Sequence, residues 1–366
     1  MNILFCGTCL PREFEMTIKD LSAAGNQFQI NMIKSLNMKH NIMTISYLNI
    51  DCGSNTQLIC DKCKKINIIP VFAYAKLRGC LNFRKQLIQL LKWADLVICY
   101  NIMYPWFGLP VISKKYHVKS ISVIADFTPP IEEKKFLKKI IQWITQHEFS
   151  HYDKVVMLSE QIRKYLKSSQ EQIVINGCVD AQKFAEIKQF KYSKDPIIIT
   201  YSGLLSKITG VDLLLDALSK IPISNIKLVI TGKGDMEIEE LIRKRQVYDK
   251  RIEFKGFVEY HEYLQLLNNT CILINPRNMD YLQNQTNFPS KILEYLLAGR
   301  TIISTRFNGW ERYKDYIVFC DSNSSEMAKI ITQQIKKKEV LFNLNFKKNR
   351  EYGKTFDWKN QISNFL

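Results

Sequence analysis

Residues 186–203 read EIKQFKYSKDPIIITYSG: a polar, lysine-rich run, a proline, then a β-branched strand that ends in a glycine loop. This stretch decides the fold, because short strands and helical patterns alternate before it and the alternation restarts after it. Upstream, candidate strands fall at 2–6, 41–48, 66–72, 96–100, 119–124, 154–158 and 172–175. Downstream they fall at 197–201, 226–231, 252–256, 271–275, 301–305 and 316–320. Each is a nearly continuous apolar run, the mark of a parallel strand covered on both faces. Two such series with a polar break predict an α/β chain of two doubly wound, Rossmann-like domains facing across a cleft. Ligands are then expected at the carboxyl ends of the strands, between the domains.

Composition agrees with two folded domains. A chain of 366 residues exceeds one ordinary core, and 46% hydrophobic with 24% charged residues excludes a disordered chain. No apolar run reaches the roughly 18 to 20 residues of a membrane span. The start, MNILFCG, runs directly into strand-like sequence, so no signal peptide is expected. Ten cysteines are scattered, with Cys6, Cys99, Cys271 and Cys320 inside apolar strand runs, which suits reduced thiols in a cytoplasmic protein. The net charge of +17 favours an anionic partner: nucleic acid, an acidic lipid surface or a phosphorylated substrate. Aromatic and basic residues do not interleave as in a nucleic-acid module, so no nucleic-acid partner is expected.

Three stretches carry chemistry. In NFPSKILEYLLAG (287–299) a Phe288–Lys291 loop enters an apolar helix holding one acid, Glu294. A proline suits a first helical turn, and the amides of Ser290, Lys291 and Ile292 would then face outward beside the positive end of the helix dipole. That is an anion site to which Lys291 adds charge, and Glu294, a turn further in, could accept both hydroxyls of a ribose. The equal alternative is an amphipathic helix with Glu294 in solvent. In IIITYSGLLSKITGVDLLLDAL (197–218) a strand leads through Gly203, Lys207 and Gly210 to a helix near Val211. Lys207 either neutralises a leaving diphosphate or is a solvated loop lysine. In VITGKGD (229–235) the lone G-x-G lacks a dinucleotide fingerprint, as does the N-terminal loop before Ala24-Gly25-Asn26.

Other signals are bland. HEFSH (147–151) matches a zinc-protease pattern, but it closes a basic helix and runs at once into a strand. Cys60 and Cys63, with Cys52 and Cys80, make C-x7-C-x2-C-x16-C, an unusual ligand spacing, and reduced loop thiols are expected instead. Ser159 is expected to cap the helix after it. The stretch 131–147, IEEKKFLKKIIQWITQH, is either a surface helix with its apolar side on the sheet or a basic amphipathic helix lying on an anionic membrane.

Taken in order, YSGLLSKITGVDLLLDAL, LVITGKGD, IEFKGFVEYHEYLQLL, CILINPR and NFPSKILEYLLAGRTIIST resemble the donor half of glycosyltransferase family 4, the retaining GT-B enzymes. SAAGNQFQINMIKSL, ADLVICYN, HYDKVVMLSEQI and INGCVDAQKF are similar to its first half, in the expected order, and FDW (356–358) to its closing helix. The resemblance implies domains 1–186 (acceptor) and 187–350 (nucleotide-sugar donor), with 351–366 crossing back to the first. It implies hexosyl transfer from a nucleotide-diphosphate sugar, with retention and without metal or other cofactor, to a saccharide or lipid-linked acceptor in surface polysaccharide assembly. Glu294 matches the ribose ligand, but Thr286 stands where the paired glutamate belongs, leaving the sugar to Thr286, Asn287 and backbone amides. Leu204 and Thr209 occupy the usual positions of the diphosphate cations, Lys207 is shifted by two, and Arg277 is a second cation. Ala125-Asp126 replaces the family's His-Asp, so Asp126 is assigned to an acceptor hydroxyl, while Gly25 and Asn26 belong to the acceptor-side loop. The alternatives are a sugar-nucleotide epimerase of the same architecture, for which His117 and His261 are poorly placed, and a catalytically silent scaffold.

Overall fold

The computed structural model describes residues 1–14, 23–48, 56–72, 78–102, 104–127, 136–166, 170–189 and 196–366. Contacts divide the chain into two units, Met1–Cys178 with Trp358–Leu366, and Val179–Asp357.

The first unit is a parallel seven-stranded sheet in the order β3-β2-β1-β4-β5-β6-β7. Its strands are β1 (Asn2–Gly7), β2 (Asn41–Leu48), β3 (Ile68–Phe72), β4 (Leu96–Tyr100), β5 (Lys119–Ile124), β6 (Lys154–Met157) and β7 (Glu171–Val174). Between them run α1 (Ala23–Asn37), α2 (Thr56–Lys65), α3 (Arg78–Leu91), α4 (Leu109–Lys115) and α5 (Phe136–Phe149). Successive side chains of a strand leave opposite faces, and the core records this. Ile3 and Phe5 enter one apolar cluster, Leu4 and Cys6 the other. That double coverage is why the strands read as unbroken apolar runs.

The second unit repeats the plan in six parallel strands, β10-β9-β8-β11-β12-β13. They are β8 (Ile197–Ser202), β9 (Ile226–Thr231), β10 (Ile252–Gly256), β11 (Ile272–Asn275), β12 (Thr301–Thr305) and β13 (Ile317–Cys320). The helices are α6 (Val211–Ser219), α7 (Met236–Tyr248), α8 (Tyr260–Asn269), α9 (Leu282–Thr286), α10 (Lys291–Ala298), α11 (Ser324–Ile335), α12 (Lys338–Leu341) and α13 (Phe346–Lys354). A last helix, α14 (Trp358–Gln361), belongs to the first unit. Here too the strands alternate, with Ile272 and Ile274 in one cluster and Leu273 in the other. The order reverses between β8 and β11, so the loops after these two strands open at the switch point where doubly wound sheets bind ligands.

Every strand expected from the sequence forms, each within two residues of its predicted edges. The unit boundary differs. It falls at Cys178/Val179 instead of near residue 187, because Val179, Phe184 and Ile187 pack into the second unit's core. Arg350 fixes that segment by donating to the carbonyls of Phe184 (2.6 Å) and Ile187 (2.9 Å). Arg300, fully buried in the same unit, donates to the carbonyls of Leu267, Asn268 and Lys188. Burial draws its guanidinium down to about 10. The closing segment likewise divides later than expected, at Asp357/Trp358. Beyond it, Trp358 and Phe365 lie against Phe28 of α1, with ring centroids 4.9 and 6.4 Å away.

Candidate functional site

At the switch point of the second unit the loops are held by backbone contact. Gly210, at φ +73°, starts α6 so close to Pro276 that a Cβ would overlap the Pro276 carbonyl. Gly232, at φ +142°, is equally tight against the Gly203 carbonyl. These glycines let the loops after β8, β9 and β11 touch main chain to main chain. Gly203 N–H donates to the Thr231 carbonyl, Leu205 N–H to that of Lys233, and Asp235 N–H to that of Leu205. Thr209, at one of the positions where the resemblance expects a cation, ties the 203–210 loop instead, donating to the carbonyls of Leu204 and Ser206. Tyr201 donates to the same Leu204 carbonyl, and burial pushes its phenol up to about 12.

Two buried side chains join this loop to the segment after β11, and neither was singled out from the sequence. Asn284, 2% exposed, donates to the carbonyls of Ile208 and Asn278 and accepts from Arg277 at 3.1 Å. Tyr295 of α10 reaches the end of β8, where its hydroxyl accepts from Ser202 N–H and donates to the Ser202 carbonyl. The Lys207 loop, Arg277 and α10 therefore meet at one end of one sheet. A longer-range pattern such as Asn284 to Ile208 leaves no trace in local sequence.

Helix α10 is apolar because it is buried nearly all round, with Ile292, Leu293, Tyr295, Leu296, Leu297 and Ala298 in the core and Gly299 closing it at φ +67°. Its start corrects the sequence reading in part. Ser290 already has helical angles (φ −53°, ψ −28°), so the turn begins at Pro289, and Ile292 N–H donates to the Pro289 carbonyl at 2.9 Å. Ile292 thus offers no amide to a ligand. The amides of Ser290 and Lys291 have no partner among the described residues, and Ser290 is exposed.

Glu294 is not a solvated surface acid. Its Oε2 accepts from Lys291 Nζ at 2.7 Å and from the Tyr263 hydroxyl at 2.8 Å, while Lys291 also sits over the Tyr263 ring. Tyr263, from α8, is buried, and that burial together with the adjoining Glu294 charge raises its phenol well above the usual range. Lys291 accordingly serves the carboxylate instead of standing free at the helix start. Lys207 is also paired: its Nζ donates to Glu237 at 2.6 Å, on an exposed surface, which raises the ammonium pKa.

The remaining candidates divide between structure and surface. Thr286 is 3% exposed, its hydroxyl turned back onto the carbonyls of Leu282 and Gln283, so it does not present a group outward. Asn287 is half-buried and donates its amide to the Gln283 carbonyl. Phe288 packs edge-on against Phe307 at 5.6 Å and near Tyr313, an anchor for the loop. In the first unit Asn26 is 1% exposed and spends its amide on Leu10, accepting from its N–H and donating to its carbonyl. Gly25 accepts from Gln29, whose side chain holds Thr8 as well. These residues clamp the loop after β1. Asp126 is exposed beyond β5, where the Asn101 side chain accepts from the amides of Ala125 and Asp126.

The decoys resolve similarly. Glu148 of HEFSH accepts from Gly108 N–H at 2.6 Å, and His147 pairs with His151. Cys60 and Cys63 lie on α2, not in a loop, and Cys63 is in the core. Among the described residues no cluster of three or more His, Cys, Asp and Glu could hold a metal, while Cys52 and the Cys80 side chain lie outside them. His117 and His261 are both exposed. Ser159 does cap the short helix at 160–165, accepting from Gln161 N–H. No described helix is long and apolar enough to cross a membrane.

Comparison with known proteins bears on the fold. Residues 195–337 match the family model described as Glycosyl transferases group 1. Anabaena Alr3699/HepE, solved with UDP, superposes with a TM-score of 0.74 at 15% identity, covering 100% of this chain and 99% of its own. A glycosyltransferase from Rickettsia africae gives 0.72 at 15% identity over 99% and 96% of the two chains. The lipopolysaccharide outer core galactosyltransferase WaaB gives 0.64 at 18% over 100% and 98%. No curated protein matches the chain. Residues 195–337 are therefore similar to a Glycosyl transferases group 1 domain, and the chain shares the two-domain GT-B fold of these glycosyltransferases.

Proposed function

We propose that the chain transfers a hexose from a nucleotide-diphosphate sugar, with retention, to a saccharide or lipid-linked acceptor in surface polysaccharide assembly. The observation that carries this reading is the start of α10. Two unpartnered amides lie at the positive end of the helix dipole, with an oriented carboxylate one turn further in. Lys291 and Tyr263 hold Oε2 of Glu294, which leaves Oε1 for a ribose hydroxyl. The diphosphate would lie against Ser290 and Lys291 N–H, with Lys207 and Arg277 offsetting charge as it departs. Fixed amides and cations supply that stabilisation without a metal. The departing phosphate oxygen would take the acceptor's proton, and Asp126 would position the acceptor hydroxyl. HepE was solved with UDP and with UDP-glucose, which supports a uridine donor.

Calorimetric titration with UDP, GDP and ADP, without metal, tests the site. One nucleotide should bind, and Glu294→Ala should weaken it by at least about tenfold, as for loss of charge-assisted hydrogen bonds. Binding untouched by the substitution would remove Glu294 from the donor site. Absence of binding by all three would overturn the nucleotide reading.

A further inference from the structure

Asn284 of α9 belongs to no motif read from the sequence, yet it is buried and each polar group of its side chain has a partner. Nδ2 donates to the carbonyls of Ile208 at 2.6 Å and Asn278 at 2.7 Å, and Oδ1 accepts from Arg277 Nη1 at 3.1 Å. These partners fix the orientation, because a reversed amide would set its N–H groups against a guanidinium and its oxygen against two carbonyls. They also fix the residue type. An ionised Asp has no N–H for the carbonyls, Ser and Thr have one donor each, and a short amide alone supplies two donors and an acceptor in one plane. Both ends of this bridge are held from other sides. The Ile208 carbonyl also accepts from Asn278 N–H at 3.1 Å, and the Arg277 carbonyl accepts from the hydroxyls of Thr305 and Ser322. Ile208 directly follows Lys207, so one buried amide holds both the Arg277 side chain and the peptide beside Lys207.

We propose that Asn284 is a positioning residue that sets Arg277 and the Lys207 loop as one rigid pair of cations for the donor's diphosphate. The inference rests on the donor reading given above. A long cationic side chain that must be ordered when the ligand arrives loses part of what it contributes, whereas one already held by a buried amide does not. Charge develops on the phosphate bonded to the sugar, so the effect of Asn284 falls on that phosphate and spares the nucleoside.

Calorimetric titration of the full chain with UDP and with UMP tests it, using GDP with GMP or ADP with AMP if the wild type selects that base. Asn284→Ala should weaken the diphosphate about fivefold and the monophosphate less than about twofold. Arg277→Ala should show the same selective loss. Adding Asn284→Ala to it should weaken the diphosphate by no more than about a further twofold, because two residues acting through one another are not additive. Asn284→Thr keeps one donor and one acceptor and should show a smaller selective loss. It replaces the alanine variant if a thermal melt shows that variant to be unfolded at the assay temperature. A role in stability alone would lower the melting temperature and weaken both nucleotides alike. Equal loss for the two nucleotides, an additive double variant, or an unchanged diphosphate affinity would overturn the proposal and leave the donor site standing. A wild-type chain that bound no nucleoside diphosphate would overturn the donor reading, and this proposal with it.

Discussion

The two units solve the same problem, fixing the loop after their first strand, by different means. In the first unit α1 reaches back with side chains: Asn26 holds both polar groups of Leu10, and Gln29 accepts from Thr8 N–H. In the second unit the loops after β8, β9 and β11 hold one another through main-chain bonds and glycine contacts, to which the buried side chains of Asn284 and Tyr295 add. Side-chain clamps consume the groups that line the loop. Main-chain clamps do not draw on Lys207, which pairs with Glu237, or on the amides of Ser290 and Lys291 at the start of α10. The difference explains why Asn26, so suggestive in sequence, is spent on structure.

Substitutions can break this contrast at its strongest point. Gly232→Ala adds a methyl group that meets the Gly203 carbonyl at a backbone angle disfavoured for L residues. It should destabilise the second unit by about 3 kcal/mol or more, read as an earlier transition in urea with loss of nucleotide binding. Asn26→Ala removes two buried hydrogen bonds and leaves the Leu10 N–H and carbonyl unsatisfied. A loss of about 2–3 kcal/mol is expected in the first unit, with nucleotide affinity unchanged. If affinity fell equally, the clamps would not be separate.

A smaller effect sharpens the comparison by pH. Arg251 binds Asp249 and the carbonyls of Leu218, Ile221 and Ile223, and its guanidinium holds the Asp249 carboxyl below its usual range. The folded value lies below the unfolded one. The stabilisation is therefore fully present above about pH 4, the unfolded value, and is lost as pH falls through the folded value. Asp249→Asn should cost about 1–2 kcal/mol at neutral pH, and the deficit should shrink in acid. The deficit of Asn26→Ala should not change with pH, because an amide does not titrate. Parallel denaturation series in neutral and acidic buffer distinguish the two.

The sheets were legible because continuous apolar runs between helices have one stable solution, a parallel sheet covered twice. The loop holding Lys207 was legible as a loop because it follows a strong apolar strand, and the helix holding Glu294 because its apolar residues recur at helical spacing. What escaped was set by tertiary contact. Nothing near Asn284 or Tyr295 names Ile208 or Ser202 as a partner. The helical angles of Ser290 move the first turn back to Pro289 and use the Ile292 amide, a shift too small for sequence patterns to resolve. For α5, periodicity defined two faces without stating which was covered, and the structure exposes the apolar one.

The two chain crossings, at Cys178/Val179 and Asp357/Trp358, also order events during synthesis. Residues 358–366 leave the ribosome after every residue of the second unit. The first unit's core lacks Trp358 and Phe365 until then, with Phe28 uncovered. The second unit is contiguous in sequence and can close first. The earlier-made unit is thus the later one to be completed, and a stop codon after Asp357 should spare the second unit's cooperative transition while lowering that of the first.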